Sequence, residues 1–76
     1  MSRPIRDIAR EIQQDWKQVY FGARPYLNAM YALNTVDDAY CADDGRTIVL
    51  YFLANAAAWR GDTARRIKAE LKAMVK

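Results

Sequence analysis

Apolar residues recur at a helical period near the start of the chain. The stripe consists of Ile5, Ile8, Ala9, Ile12, Trp16 and Val19. Charged and amide side chains fill the positions between them, which is typical of a helix with one buried face. The pattern predicts a first helix over about 3–19, with Ser2 as its N-cap and Pro4 in its first turn.

A second helix is predicted over about 23–34. Gly22 breaks the first pattern, and Pro25 falls where the first helical turn tolerates a missing N–H. The side chains available for packing are Leu27, Met30, Tyr31 and Leu33. Residues 34–42 show no helical stripe and contain turn-forming residues, so they predict a connection.

The third predicted helix, over about 44–58, has no polar side across its middle. Six apolar residues follow one another from Ile48 to Leu53, so we expect this helix to be surrounded by the others. A buried strand would also explain the run, but ANAAAW continues it without a turn signal and favours one long helix. Gly61 ends this helix, and Asp62 caps a fourth over about 62–75.

Together these elements predict an all-α fold, a compact single-domain bundle of four helices with a central apolar third helix. The chain has 76 residues, near the lower limit for independent folding, so a homodimer is an open alternative. Its longest uncharged run, Thr47 to Trp59, is too short for the roughly 20 residues that span a bilayer. With no apolar secretory segment at the N-terminus, we expect a soluble, cytoplasmic protein without a membrane partner.

The composition argues against enzymatic chemistry. The chain has no histidine and one cysteine, which excludes a zinc site and any Cys/His or Ser/His pair. The three glycines are isolated, so no loop is built to hold phosphate. We therefore predict no enzyme activity, no metal and no cofactor. Cys41 is interpreted as a small residue tolerated in a reducing compartment.

Four aspartates precede the third helix, at positions 37, 38, 43 and 44. With Gly45 at the sixth position of a calcium-binding loop, the first, third and twelfth positions carry no carboxylate, so that match fails. Asp43 or Asp44 is expected to cap the helix. Asp37 and Asp38 are left as an acidic contact surface for a basic partner.

The segment NAAAWRGDTARRIKAELK fits a helix-turn-helix in part. A small residue four before the glycine and an apolar residue six after it are present as Ala57 and Ile67, although Glu70 occupies a usually apolar position. The basic residues that would reach DNA are Arg60, Arg65, Arg66, Lys68 and Lys72. A solvated basic face near a helix C-terminus explains the same residues.

Aromatic residues are unusually frequent and flank the predicted connections. They either plug the ends of the helices, which is the favoured interpretation, or anchor a partner. The predicted protein-binding residues are Tyr20, Arg24, Tyr26, Asp37, Asp38 and Tyr40.

Two segments, IAREIQQDWKQVYFGARPYLNAM and DDGRTIVLYFLANAAAWRGDTARRIKAELK, cover most of the chain. They resemble a family of small, uncharacterised, all-helical bacterial proteins found among accessory genes of phages, plasmids and integrative elements. Arg24 and Cys41 depart from the family's pattern. The resemblance implies a setting on a mobile genetic element, where small proteins include regulators and inhibitors of host defence, and it implies no catalytic residue.

The leading hypothesis is a non-enzymatic protein-binding module that modulates a host system. The alternative is a small DNA-binding regulator that uses the fourth helix. A third hypothesis is a structural subunit of a larger assembly.

Overall fold

The computed structural model describes residues 3–40 and 43–75, so the predictions made for Ser2 and Cys41 lie outside the described residues. Four helices and a short two-stranded sheet make up the fold. In chain order they are α1 (Ile5–Asp15), α2 (Arg24–Met30), β1 (Ala39–Tyr40), β2 (Asp43–Asp44), α3 (Gly45–Ala54) and α4 (Asp62–Met74). All four predicted helices are present, but the sheet makes the fold mostly helical rather than all-α.

One hydrophobic core joins the four helices. Its largest fully buried side chains are Phe52, Ile5, Ile8, Ile12, Leu27, Met30, Leu33, Ile67, Leu71 and Val49. No polar or charged side chain in the described ranges is buried, so apolar burial is the main stabilising contribution within them. The radius of gyration, 11.0 Å, matches the value of about 11 Å expected for a compact chain of this length.

Helix α3 is not surrounded by the other helices, so that prediction is wrong. Ile48, Val49 and Phe52 are buried, whereas Leu50 and Tyr51 remain 48% and 50% exposed. The reason is the size of the molecule. Helix α2 has only seven residues, and with α4 it covers one side of α3 and leaves the other open.

Helices α1, α2 and α3 each end about four residues earlier than predicted, at Asp15, Met30 and Ala54. In α1 the last bonded N–H is that of Trp16, whose side chain turns into the core. Helix α3 ends at Ala54, where the Asn55 side chain donates a hydrogen bond to the Tyr51 carbonyl at 2.9 Å. Such a bond competes with the helical pattern at a C-terminus. Gly61 therefore precedes α4, with φ of 113°, and does not end α3.

The start of α3 is built as predicted in one respect. The Asp44 carboxylate accepts a hydrogen bond from the Thr47 N–H at 2.8 Å, which confirms the predicted aspartate cap. Gly45 lies under the preceding loop, because a Cβ there would be 2.8 Å from the Thr35 carbonyl oxygen. Asp62 does not cap α4, since it is the first helical residue and contacts Arg65 instead.

Charged residues link α1 to α4 across the molecule. Arg3 contacts Glu70 at 2.9 Å and Glu11 at 2.8 Å, and Arg66 also pairs with Glu11. Hydrogen bonds from Arg3 and then Arg66 hold the pKa of the Glu11 carboxyl below its usual value. None of the helices in the described ranges combines the length and apolarity that a membrane crossing requires.

Candidate functional site

A cluster of exposed apolar side chains lies where α2 and α3 meet. We call it the aromatic face, and it consists of Tyr20, Phe21, Tyr26, Leu50 and Tyr51. Phe21 is 78% exposed and Tyr20 is 45% exposed, whereas Tyr26 is half-buried against the core. The largest exposed apolar patch of a protein is often a binding surface, so the aromatic face is a candidate site.

Two ring contacts organise the aromatic face. The rings of Tyr20 and Phe21 have centroids 4.8 Å apart, and those of Tyr26 and Tyr51 are 5.4 Å apart. Asn55 connects the two pairs, because its amide bonds to the Tyr51 carbonyl while its side-chain oxygen and the Tyr20 ring both lie over Gly22. Asn55 thus lies between the two ring pairs.

A shallow groove of about 310 Å³ runs along one side of the aromatic face. Its lining residues are Tyr20, Ala54, Asn55, Ala57 and Ala58. The small alanine side chains leave space beside the Tyr20 ring. A large apolar side chain of a partner can occupy such a groove.

The local fold explains why Tyr20 and Phe21 point outwards. Val19 and Ala23 on either side of them are buried, and the Ala23 N–H donates to the Tyr20 carbonyl at 2.9 Å. This tight turn between two buried residues projects the pair between them into solvent. The favoured interpretation, in which these aromatics plug the helix ends, is wrong for Tyr20, Phe21 and Tyr40.

The six predicted protein-binding residues fall into two groups at opposite ends of α2. Tyr20, Arg24 and Tyr26 lie at its start, while the others follow its end. The Asp38 carboxylate accepts hydrogen bonds from the Asn34 and Thr35 backbone, which lower its pKa. Asp38 thus orders its own loop, and the exposed groups there are Asp37 and Tyr40.

Sequence reasoning missed Leu50 and Tyr51 because it placed them in a surrounded helix. A signal was present in the helical spacing. Leu50, Tyr51 and Ala54 share one side of the helix. The opposite side carries Ile48, Val49 and Phe52, and these three residues are enough to fill the core. In a continuous apolar run, however, no polar residue marks which side faces solvent.

The predicted nucleic-acid residues also divide. Arg66 is turned towards α1 and pairs with Glu11, and Arg65 pairs with Asp62 at 3.3 Å. The remaining three, Arg60, Lys68 and Lys72, form the basic flank of α4. The Lys68 ammonium donates to the Trp59 carbonyl at 2.6 Å, and burial, then Lys72 and Arg60, lower its pKa.

The tight turn required by the helix-turn-helix interpretation is not present. Helix α3 ends at Ala54, seven residues separate it from α4, and Ala57 is exposed outside the helix. Glu70, the residue that departed from the motif, contacts Arg3. The basic flank therefore belongs to an ordinary packed helix and not to a recognition helix of that motif.

In the stretches 3–40 and 43–75, no three acidic or cysteine side chains come together as metal ligands. The chain matches no family model, no curated protein and no solved structure.

Proposed function

We propose that this protein is a non-enzymatic protein-binding module whose contact surface is the aromatic face. The observation that carries the proposal is the exposure of Phe21, Tyr20 and Tyr51, of which Tyr20 lines a groove together with three alanines. Aromatic residues of this kind contribute most of the binding energy in many protein interfaces. The arrangement of the four helices as a bundle stays a proposal. The protein-binding function requires only that the four helices share one core.

The size of the surface supports an interface. From their exposed fractions, Phe21, Tyr20 and Tyr51 together present about 350 Å² of aromatic side chain. Covering that area contributes about 9 kcal/mol before losses, and association itself costs about 4–15 kcal/mol. The aromatic face can therefore anchor a partner, but contacts around its edge must supply the remaining affinity.

The mobile-element setting and a role as modulator of a host system remain part of the proposal. They rest on the resemblance of the sequence segments, and they fit a small chain that acts by contact alone. The neighbouring genes test this part, because a setting among conserved metabolic genes would argue against it.

The test is affinity capture from a lysate of the source organism with two matched variants. One variant carries Phe21→Ala and Tyr51→Ala, and the control carries Tyr31→Ala, which removes an exposed ring outside the aromatic face. We expect a protein retained by the wild type and the control and lost with the double variant. Identical retention by all three proteins would refute the proposal, provided that thermal unfolding shows the variants folded.

The second candidate function is DNA binding through the basic flank. One observation favours it: Arg60, Lys68 and Lys72 lie close together with no carboxylate among them. Besides burial, their mutual repulsion contributes to lowering the Lys68 pKa. Replacing Arg60 and Lys72 by glutamine should then weaken duplex binding and reduce its salt slope by about 2. Absence of duplex binding by the wild type at low salt would eliminate this candidate.

A further inference from the structure

We infer that the aromatic face binds an acidic amphipathic helix of another protein. This inference rests on the proposed function and names the chemistry of its partner. It begins from the distribution of charge in the sequence. Residues 16–36 and 45–61, which supply the whole aromatic face, contain no aspartate or glutamate, and their charged residues are Lys17, Arg24, Arg46 and Arg60.

Two of these cations lie next to the aromatic face, and we call Arg24 and Arg46 the arginine rim. The Arg24 guanidinium donates to the Val19 carbonyl at 3.3 Å, which places it beside Tyr20. Arg46 lies one helical turn before Leu50 on α3. In the described part of the chain neither of the two pairs with a carboxylate within 4 Å, although Asp44 lies near Arg46.

The charges of the rim select the sign of the partner. An apolar surface edged by one sign of charge attracts a segment of the opposite sign and disfavours one of its own sign. Covering the aromatic face with a basic or neutral segment would leave two arginines without compensation at the edge. An acidic segment supplies the additional affinity that the apolar area alone does not provide.

The helices of the face select the backbone form of the partner. The hydrogen-bonding groups of α2 and α3 are used within the helices, so an extended segment would find no strand edge to pair with. A helix satisfies its own backbone and presents side chains at i, i+3, i+4 and i+7. One large apolar side chain of that stripe would enter the groove beside Tyr20, and its neighbours would lie on Phe21 and Leu50.

A second copy of this chain is the less suitable occupant. A two-fold interface through the aromatic face would bring one arginine rim against the other, because the same patch serves both partners. Like charges at an interface edge are unfavourable. Sedimentation of the protein alone tests this directly, and we expect a monomer at micromolar concentration.

The experiment uses three fluorescein-labelled 18-residue helical peptides with the same leucine and phenylalanine stripe. Their other positions carry glutamate, glutamine or lysine among alanines. In anisotropy titrations we expect the glutamate peptide to bind about tenfold more tightly than the glutamine peptide, and the lysine peptide not to bind. Phe21→Ala should weaken binding of the glutamate peptide about 30-fold, whereas Tyr31→Ala should not change it.

Substitutions in the rim separate charge from shape. Arg24→Gln with Arg46→Gln should bring the affinities of the glutamate and glutamine peptides together, while Lys72→Gln, one helical turn after Lys68 on α4, should leave their ratio unchanged. Equal affinity of the wild type for the glutamate and lysine peptides would overturn the inference. So would a stable dimer lost with Phe21→Ala.

The inference and the proposed function fail in different ways. If no peptide binds while lysate capture still depends on Phe21 and Tyr51, the acidic helix is wrong and the protein-binding function stands. If capture does not depend on these two residues, the function is wrong. Both results come from the same set of purified variants.

Discussion

The buried side chain of Trp59 holds the connection between α3 and α4 against the end of α1. Its ring stacks on that of Trp16 with centroids 5.7 Å apart and planes 7° from parallel, and it meets the edge of Phe52 at 6.4 Å. Its indole N–H donates to the Asp15 carboxylate at 2.8 Å. With only 2% of its surface exposed, Trp59 should be among the most sensitive positions in the chain.

Two substitutions separate the contributions of the ring and of the hydrogen bond. Trp59→Ala removes the whole ring and should cost about 3–5 kcal/mol, against a total of about 4–11 kcal/mol for a chain of this length. Trp59→Phe keeps a ring in place and loses the bond to Asp15 and some volume. We expect it to cost about 2 kcal/mol, roughly half from each loss.

A double-mutant cycle with Asp15→Ala isolates the hydrogen bond. Asp15 is the last residue of α1, so removing its charge also relieves an unfavourable interaction with the helix dipole. That effect cancels in the cycle. The coupling between Trp59→Phe and Asp15→Ala should be about 1 kcal/mol.

The assay is urea denaturation at pH 7 followed by far-ultraviolet circular dichroism, because tryptophan fluorescence itself changes with the substitution. The slopes of the transitions must agree for the free energies to be compared. Coupling below about 0.3 kcal/mol would show that the Trp59–Asp15 bond does not stabilise the fold. A Trp59→Ala variant as stable as the wild type would refute the packing argument altogether.

Four further predictions concern the rest of the fold. The hydrogen bonds that Glu11 accepts from two arginines lower its pKa from the usual 4.5. The stability that these bonds contribute to the fold is therefore present above the usual pKa. It is lost as the pH falls through the lower pKa of Glu11 in the folded protein. Glu11→Gln should flatten the acid limb of stability measured between pH 5 and 2. Gly45→Ala should cost about 1–3 kcal/mol in urea denaturation, because the Thr35 carbonyl is backbone and cannot move aside. Gly22→Ala should cost less than Gly45→Ala, under about 1 kcal/mol, since its new methyl meets the Tyr20 ring at 2.5 Å and the Asn55 side-chain oxygen at 3.0 Å, which are side-chain groups and not backbone. Leu50→Ser should cost about 1 kcal/mol or less, and a larger loss would mean that α3 is covered.

The sequence predicted where helices form better than where they end. Apolar spacing located all four helices, because a stripe such as Ile5, Ile8 and Ile12 can only be buried in a helical conformation. The end of α3 depends instead on the bond from Asn55 to the Tyr51 carbonyl and on the burial of Trp59. Both are tertiary effects that no local pattern encodes. The two-residue strands pair through backbone groups alone and carry no alternation to predict them.

Part of the candidate site was also predictable. Tyr20 and Tyr26 were predicted because aromatics beside a connection either plug a helix end or anchor a partner, and Arg24 was predicted because it lies next to them in the sequence. Choosing between these roles depends on knowing that Val19 and Ala23 are buried. With both of these residues in the core, Tyr20 and Phe21 between them are left in solvent. Charge patterning alone did not reveal that Arg66 and Asp38 are used within the fold, because their partners are set by tertiary contacts and loop conformation.

The early end of α3 is what creates the groove of the aromatic face. From Asn55 onwards the chain leaves the helical path, and Ala56 and Trp59 turn into the core while Ala57 and Ala58 stay outside. A helix continued to residue 58 would place its alanines at regular helical positions and would draw Trp59 away from Trp16. The contacts that close the core at Trp59 therefore also fix the shape of the proposed binding surface. It follows that Trp59→Phe should weaken binding of the glutamate peptide even where the variant remains fully folded, although Trp59 itself does not reach the surface.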